Sequence, residues 1–285
     1  MFLVDFLYSF SIIFYILLEC LLYLVIPVLI GLAFLTLAER KIMAYLQQRR
    51  GPNVEGFLGV LQPIWDGVKL LQKESISPKQ VNLILFLLAP VLMFALSLLA
   101  WVALPFSEYG ALADIKISVV YILAISSLHV YGIIIAGWSS NSRYAFLGAL
   151  RSTAQMISYE LAVGIIFLTI NMCAGSLHLY DIVDLQENTW LIVPFFPFFL
   201  IFFVASLAEL NRAPFDLPEA EGELVAGYNV EYSSMGFALF FLAEYANILL
   251  MSTLSVLLFF GGWSQSCTLG DFDIIFLVKI SFLVF

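Results

Sequence analysis

The segment 211–232, NRAPFDLPEAEGELVAGYNVEY, sets Asp216, Glu219, Glu221, Glu223 and Glu231 against one cation, Arg212. It lies between two long apolar runs of a chain that is 62% hydrophobic. Where a fold brings carboxylates together away from water they share protons and titrate as a group. Glu219 and Glu223 stand i, i+4, so a helix after Pro218 would place like charges side by side, at a cost of about a few tenths of a kcal/mol in water. Arg212 can neutralise one or two acids, with Glu209 and Asp216 the nearest in sequence. Pro214 and Pro218 limit regular helix, so APFDLP should be irregular and held by its neighbours. An ordinary solvated loop is the plain alternative.

Other carboxylates fall inside apolar runs. Glu160 is nine residues past Arg151, about 14 Å along a helix. Glu244 sits in FFLAEYANI. An ionised carboxylate at such depth costs at least ~2.5 kcal/mol, so it is retained where it is paired, faces water or carries protons. A structural hydrogen bond between helices is the competing reading. Glu39 and Glu209, at the ends of apolar runs, could stand at the water boundary; Glu39 is followed directly by Arg40 and Lys41.

Several other chemistries find no residues. There is no Gly-rich nucleotide fingerprint, no P-loop and no cysteine cluster for iron–sulfur centres. Cys20, Cys173 and Cys267 are far apart and read as small apolar residues, and no metal site is expected. His129 and His178 stand in different places, which disfavours haem ligation between helices, and a lone His in an apolar run reads as a satisfied core residue. The chain has no visible means of binding nucleotide or moving electrons by itself.

The elements that must position these acids are helices in a bilayer. Only 12% of the residues are charged, against about 25% in soluble domains. Continuous apolar runs, without alternation, predict an all-α polytopic protein with seven spans near 10–36, 82–104, 117–137, 150–173, 190–210, 233–260 and 272–285. Together they make a single membrane domain over 1–285. Ten of the twelve basic residues fall on one side of that topology, which puts the N-terminus on the opposite side. Between spans one and two, residues 38–80 carry apolar Phe57, Leu61, Ile64, Trp65, Val68 and Leu71 at helical spacing, with Asp66, Lys69 and Lys73 on another face. That predicts an amphipathic surface helix starting near Pro63. Before it, Arg49-Arg50-Gly51-Pro52-Asn53 supplies a tight turn whose arginines suit carboxylates, backbone carbonyls or anionic headgroups. Abundant Phe would suit an AT-rich organelle genome.

Three long blocks carry a resemblance: LAERKIMAYLQQRRGPNVEGFLGVLQP with KLLQKE, GWSSNSRYAFLGALRSTAQMISYE, and LAELNRAPFDLPEAEGELVAGYNVEYSSMGFALFFLAEYANI. They closely resemble the chain 1 family of NADH–ubiquinone oxidoreductase, the quinone-site membrane subunit of respiratory complex I. The resemblance covers most of 31–260 and implies a core subunit of a proton-translocating enzyme, without a redox centre of its own. FMN and iron–sulfur clusters would sit in partner subunits, and ubiquinone would be the substrate. By resemblance, Arg40, Arg49, Asp66, Arg212 and Phe215 fall near the quinone cavity. Lys69, Lys73 and Glu74 match the surface helix beside it. Glu39, Glu160, Glu209, Asp216, Glu219, Glu221, Glu223, Glu231 and Glu244 match a carboxylate chain that couples quinone reduction to proton translocation. The implied partners are the other membrane-arm and quinone-module subunits and lipids. The implied place is the mitochondrial inner membrane, N-terminus toward the intermembrane space, with a bacterial plasma membrane as the alternative.

Two departures stand out. Trp65 occupies a position that is usually small in the family. The chain also stops at Phe285, where members usually continue through a basic loop into an eighth helix. Either it is cut short or, as the acid-rich wall favours, a separate polypeptide supplies that helix. The competing functions are a stand-alone ion or proton transporter and the membrane anchor of a related proton-pumping hydrogenase.

Overall fold

The computed structural model describes residues 21–107, 110–216, 227–263 and 274–284. Among these the regular elements are all helices, and the protein is an all-helical polytopic membrane protein. Helices close their backbone hydrogen bonds within one segment, as a bilayer requires.

Residues 1–65 form one unit. Its helix α1, Ile26–Leu46, follows a π turn at Leu21–Val25, and Pro27 occupies its first turn, where no N–H is needed. Val28, Leu32 and Leu35 fall on one face and are buried, whereas Ile26, Ile30 and Phe34 fall on the other and are exposed. Glu39 and Arg40 stand in its last turns. The chain then turns through 47–61. A Cβ at Gly59, φ +76°, would collide with the Pro52 carbonyl, and Lys41 Nζ donates to Leu58 O at 2.5 Å.

Residues 66–285 form the second unit. Helix α2, Gln62–Gln72, leads into it and has no buried residue; Ile64, Trp65 and Leu71 are exposed. Four helices are long and apolar enough to cross a membrane: α3 Leu83–Trp101, α4 Ser118–Ser139, α5 Arg143–Ala174 and α8 Ser234–Phe259. Between them lie the short α6, Leu179–Asp184, and the apolar α7, Phe196–Glu209; α9, Ile274–Val284, follows α8. Helix α5 begins at Arg143, before the expected 150, so Arg143 as well as Arg151 belongs to it. Its 32 residues reach about 48 Å, beyond a hydrocarbon core of about 30 Å.

Packing follows small residues. Helix α3 packs on α4 and α8, α4 on α5, and α5 on α7. A Cβ on Gly137 of α4 would collide with Ala149 of α5, the close approach that small residues permit in membranes. Phe86 stacks on Tyr232 at 4.0 Å, and Phe240 meets Tyr232 and Tyr228 edge-on. One end of this bundle gathers the start of α8, the end of α2 and the α4–α5 turn. There Ser234 Oγ shares its proton between Leu70 O and Lys73 O, and Asn141 Nδ2 donates to Gln80 O. At the other end the fully buried Gln186 donates to Ile182 O and Leu257 O and accepts from the Leu191 and Gly261 amides. Lys279 Nζ caps the end of α8, donating to Phe260 O and Gly262 O.

Candidate functional site

Helix α5 builds the site from one face. Ser152, Gln155 and Tyr159 stand at i, i+3 and i+7 and hold the chain that leaves α7. Asn211, φ +51°, donates through Nδ2 to Ser152 Oγ at 3.2 Å. Gln155 Nε2 donates to both Ala208 O and Phe215 O at 2.8 Å. The Phe215 ring rests on Tyr159 at 5.8 Å, and the Phe215 amide closes a turn onto Arg212 O at 2.7 Å. The Ala213–Pro214 peptide within that turn is cis. Arg212 and Phe215 are thus set in one tight turn against α5.

Helix α8 supplies the opposite wall. The Arg212 guanidinium lies over the Tyr245 ring at 5.0 Å. The neighbouring Glu244 accepts from Tyr228 Oη at 2.5 Å, and the charges of Arg212 and the exposed Asp216 both act on it. Tyr228 comes from the short 3-10 turn Gly227–Asn229, which packs against α5. That approach is close: a Cβ on Gly148 would lie 2.9 Å from the Gly227 carbonyl carbon.

Between α4, α5 and α7, the charge of Glu160 acts on Glu209. Ser126 Oγ lies 2.9 Å from Leu123 O and 3.4 Å from Glu160 Oε1. One hydroxyl proton serves one acceptor at a time. Donated to Leu123, it leaves lone pairs that accept from a protonated Glu160. Swung to Glu160, it stabilises the carboxylate. Ser126 can therefore follow the protonation of Glu160 by a single rotation. Glu209, at the end of α7, lines a cavity of about 40 Å³ together with Ser126, His129 and Asn247. The arrangement can hold protons and pass them over short distances.

The remaining expected residues are spread out. Asp66 and Lys69 lie on α2, with Lys73 and Glu74 just after it. Glu231 stands in the turn before α8, next to Tyr232. Arg40, Glu39 and Arg49 belong to the N-terminal unit, where Arg49 Nε donates to Gln47 Oε1 at 2.9 Å. Glu219, Glu221 and Glu223 lie outside the described residues. Sequence reasoning did not single out Ser126, Asn247, Tyr228 or Tyr245. The available signal was a pair of polar residues three apart on one helix, Ser126 with His129 and Glu244 with Asn247. Among the described residues no group of three or more His, Cys, Asp or Glu side chains converges as metal ligands.

The family described as NADH dehydrogenase matches residues 19–285. The chain is 62% identical over 240 residues to NADH-ubiquinone oxidoreductase chain 1 of Triticum aestivum, covering 84% of this chain and 74% of that one. It is 58% identical over 240 residues, with the same two shares, to the chain 1 protein of Chondrus crispus. A bacterial relative, an NADH-quinone oxidoreductase subunit of Paramagnetospirillum magneticum, is 56% identical over 247 residues, covering 87% of this chain and 72% of that one.

Proposed function

The chain belongs to the NADH dehydrogenase family, and from that premise we propose that it is a core membrane subunit of a proton-translocating NADH:ubiquinone oxidoreductase. It serves quinone access, with Arg40, Arg49, Asp66, Arg212 and Phe215 each assigned to that role by family resemblance. The quinone receives its electrons from partner subunits that hold FMN and iron–sulfur clusters. The chain passes the charge change of quinone reduction into its own carboxylates: Asp216 and Glu244 first, together with Glu219, Glu221, Glu223 and Glu231 of the same acidic stretch of sequence, then Glu209 and Glu160. Glu39, in the N-terminal unit, is assigned to the same set of acids by family resemblance.

The observation that carries this reading is the clamp on Arg212 and Phe215. Gln155 and Tyr159 hold that turn while Arg212 lies against Tyr245, one residue from Glu244. Quinone reduction takes up two electrons and two protons, so charge and proton demand change together. A unit charge about 10 Å away, at an effective dielectric near 20, is worth about 1.7 kcal/mol. That exceeds one pKa unit. A carboxylate poised between Arg212 and Asp216 can therefore gain or lose a proton in response. Tyr228 holds one Glu244 oxygen in place while this happens.

The protein is multi-pass in the mitochondrial inner membrane or, alternatively, a bacterial plasma membrane. Lys69, Lys73, Arg143 and Arg212 face the matrix or cytoplasm, and the N-terminus faces the opposite compartment. Other membrane-arm and quinone-module subunits and lipids surround it.

In the assembled complex, Arg212→Met is expected to raise the KM for quinone and weaken quinone-site inhibitors by about tenfold, the loss of roughly one charge-assisted contact. NADH oxidation by an artificial acceptor should persist. Unchanged KM and inhibitor sensitivity would count against the reading. Ion flux by the isolated chain in liposomes would favour the stand-alone transporter.

A further inference from the structure

His129 and Glu209 face the same cavity from different helices, and each carries a buried polar atom unmatched by the protein. His129 is 5% exposed, on α4. Its Nε2 lies 3.1 Å from Asn247 Nδ2 of α8. An amide nitrogen only donates, so Nε2 accepts, and the ring proton of the neutral imidazole sits on Nδ1. His129 Nδ1 and Glu209 Oε2 are buried and find no hydrogen-bond partner among the described residues. One is a donor and the other an acceptor. Leaving either unmet costs about 1–3 kcal/mol.

The cavity resolves the mismatch. Its volume of about 40 Å³ exceeds the roughly 10–15 Å³ that one water needs, and a buried water wants two to four polar partners. Ser126, His129, Glu209 and Asn247 offer them, while Met156, Val163 and Leu250 close the remaining wall. Ser126 in turn reaches Glu160.

We infer that His129 is a positioning residue for a buried water that joins Glu209 to Ser126 and Glu160, with Asn247 fixing the imidazole tautomer. The Nδ1–H donates to the water oxygen, which frees both water protons for the carboxylate and the serine. A proton on Glu209 and a proton on Glu160 are then linked by a hydrogen-bonded chain rather than by direct contact. The inference rests on the carboxylate relay proposed above and adds a specific residue to it.

The test uses the assembled complex in membranes, with turnover expressed per complex by its artificial-acceptor activity. His129→Leu, which fills the space without a donor, is expected to slow coupled quinone reduction about three- to tenfold, the value of one hydrogen bond. His129→Gln restores an N–H and should recover most of the rate; a purely structural role would not distinguish the two in this order. Glu209→Gln runs in parallel. Slow Glu209→Gln with unaffected His129→Leu, or a Gln variant no better than Leu, overturns the role of His129 alone. Unaffected Glu209→Gln overturns the relay and this inference with it. Should His129→Leu fail to assemble, a map of the wild-type complex showing ordered solvent decides. Density for water within hydrogen-bond reach of Nδ1 and Glu209 supports the inference, and a dry or side-chain-filled cavity overturns it.

Discussion

Gln155 uses one amide nitrogen to satisfy two carbonyls, Ala208 O and Phe215 O. Replacing it by Leu leaves both carbonyls without that donor, at about 1–3 kcal/mol. Gln155→Leu is therefore expected to speed hydrogen exchange at the Arg212 and Phe215 amides by about tenfold or more, because that turn opens without unfolding the bundle. Exchange at the wild-type rate would show that the clamp is not the restraint. Glu160 and Glu244 were legible in the sequence because a charge in an apolar run is expensive and so conspicuous. Gln155, Ser126 and Asn247 were not, because a neutral polar side chain can satisfy itself on a helix backbone or a neighbour at little cost. Ser126 does so with Leu123 O. Their significance appears only when another helix brings a carboxylate or a cavity to them.

At the scale of elements, the basic end of the bundle is held by contacts among turns. Tyr232, just before α8, is buried against Phe86 and Phe240 and shares a 3.3 Å hydrogen bond with Ser139 of α4. Burial pushes its phenol up to about 12, with the Ser139 bond pulling the other way. In an unfolded chain the phenol ionises near its ordinary value of about 10. Between those values the folded state holds the proton and the unfolded state does not. The contribution is complete below about pH 10 and is lost as pH rises through about 12. The thermal midpoint of the complex should fall across that window, and Tyr232→Phe should flatten the fall while lowering stability uniformly at neutral pH. An identical alkaline slope in the variant would contradict the assignment. Apolar length and Pro63 mark helices in this sequence. Their ends are harder to read: α5 runs on from Arg143 because a helix can leave the hydrocarbon and continue in polar surroundings without any change in backbone geometry.

For the molecule as a whole, composition already dictates helices in a bilayer, and the acid-rich stretch after α7 marks where polar chemistry must be. What composition cannot supply is the pairing of helices. The approach of α4 to α5 depends on Gly137 meeting Ala149, and the approach of the 227–229 turn to α5 on Gly148, residues with no chemical signal of their own. Those approaches bring Ser126 to Glu160 and Tyr228 to Glu244. The proposed function uses that convergence: we propose a quinone site at the Arg212–Phe215 turn, and carboxylates in reach of it that change protonation when quinone is reduced. The measurement that bears on this most directly is the number of protons translocated per electron, with quinone turnover, by the assembled complex in sealed vesicles carrying Glu160→Gln or Glu244→Gln. Each amide keeps the shape but cannot release a proton, so the account predicts a loss of at least about tenfold in coupled turnover, the scale of one misplaced proton-transfer group. Unchanged turnover and an unchanged proton-to-electron ratio in both variants would contradict it.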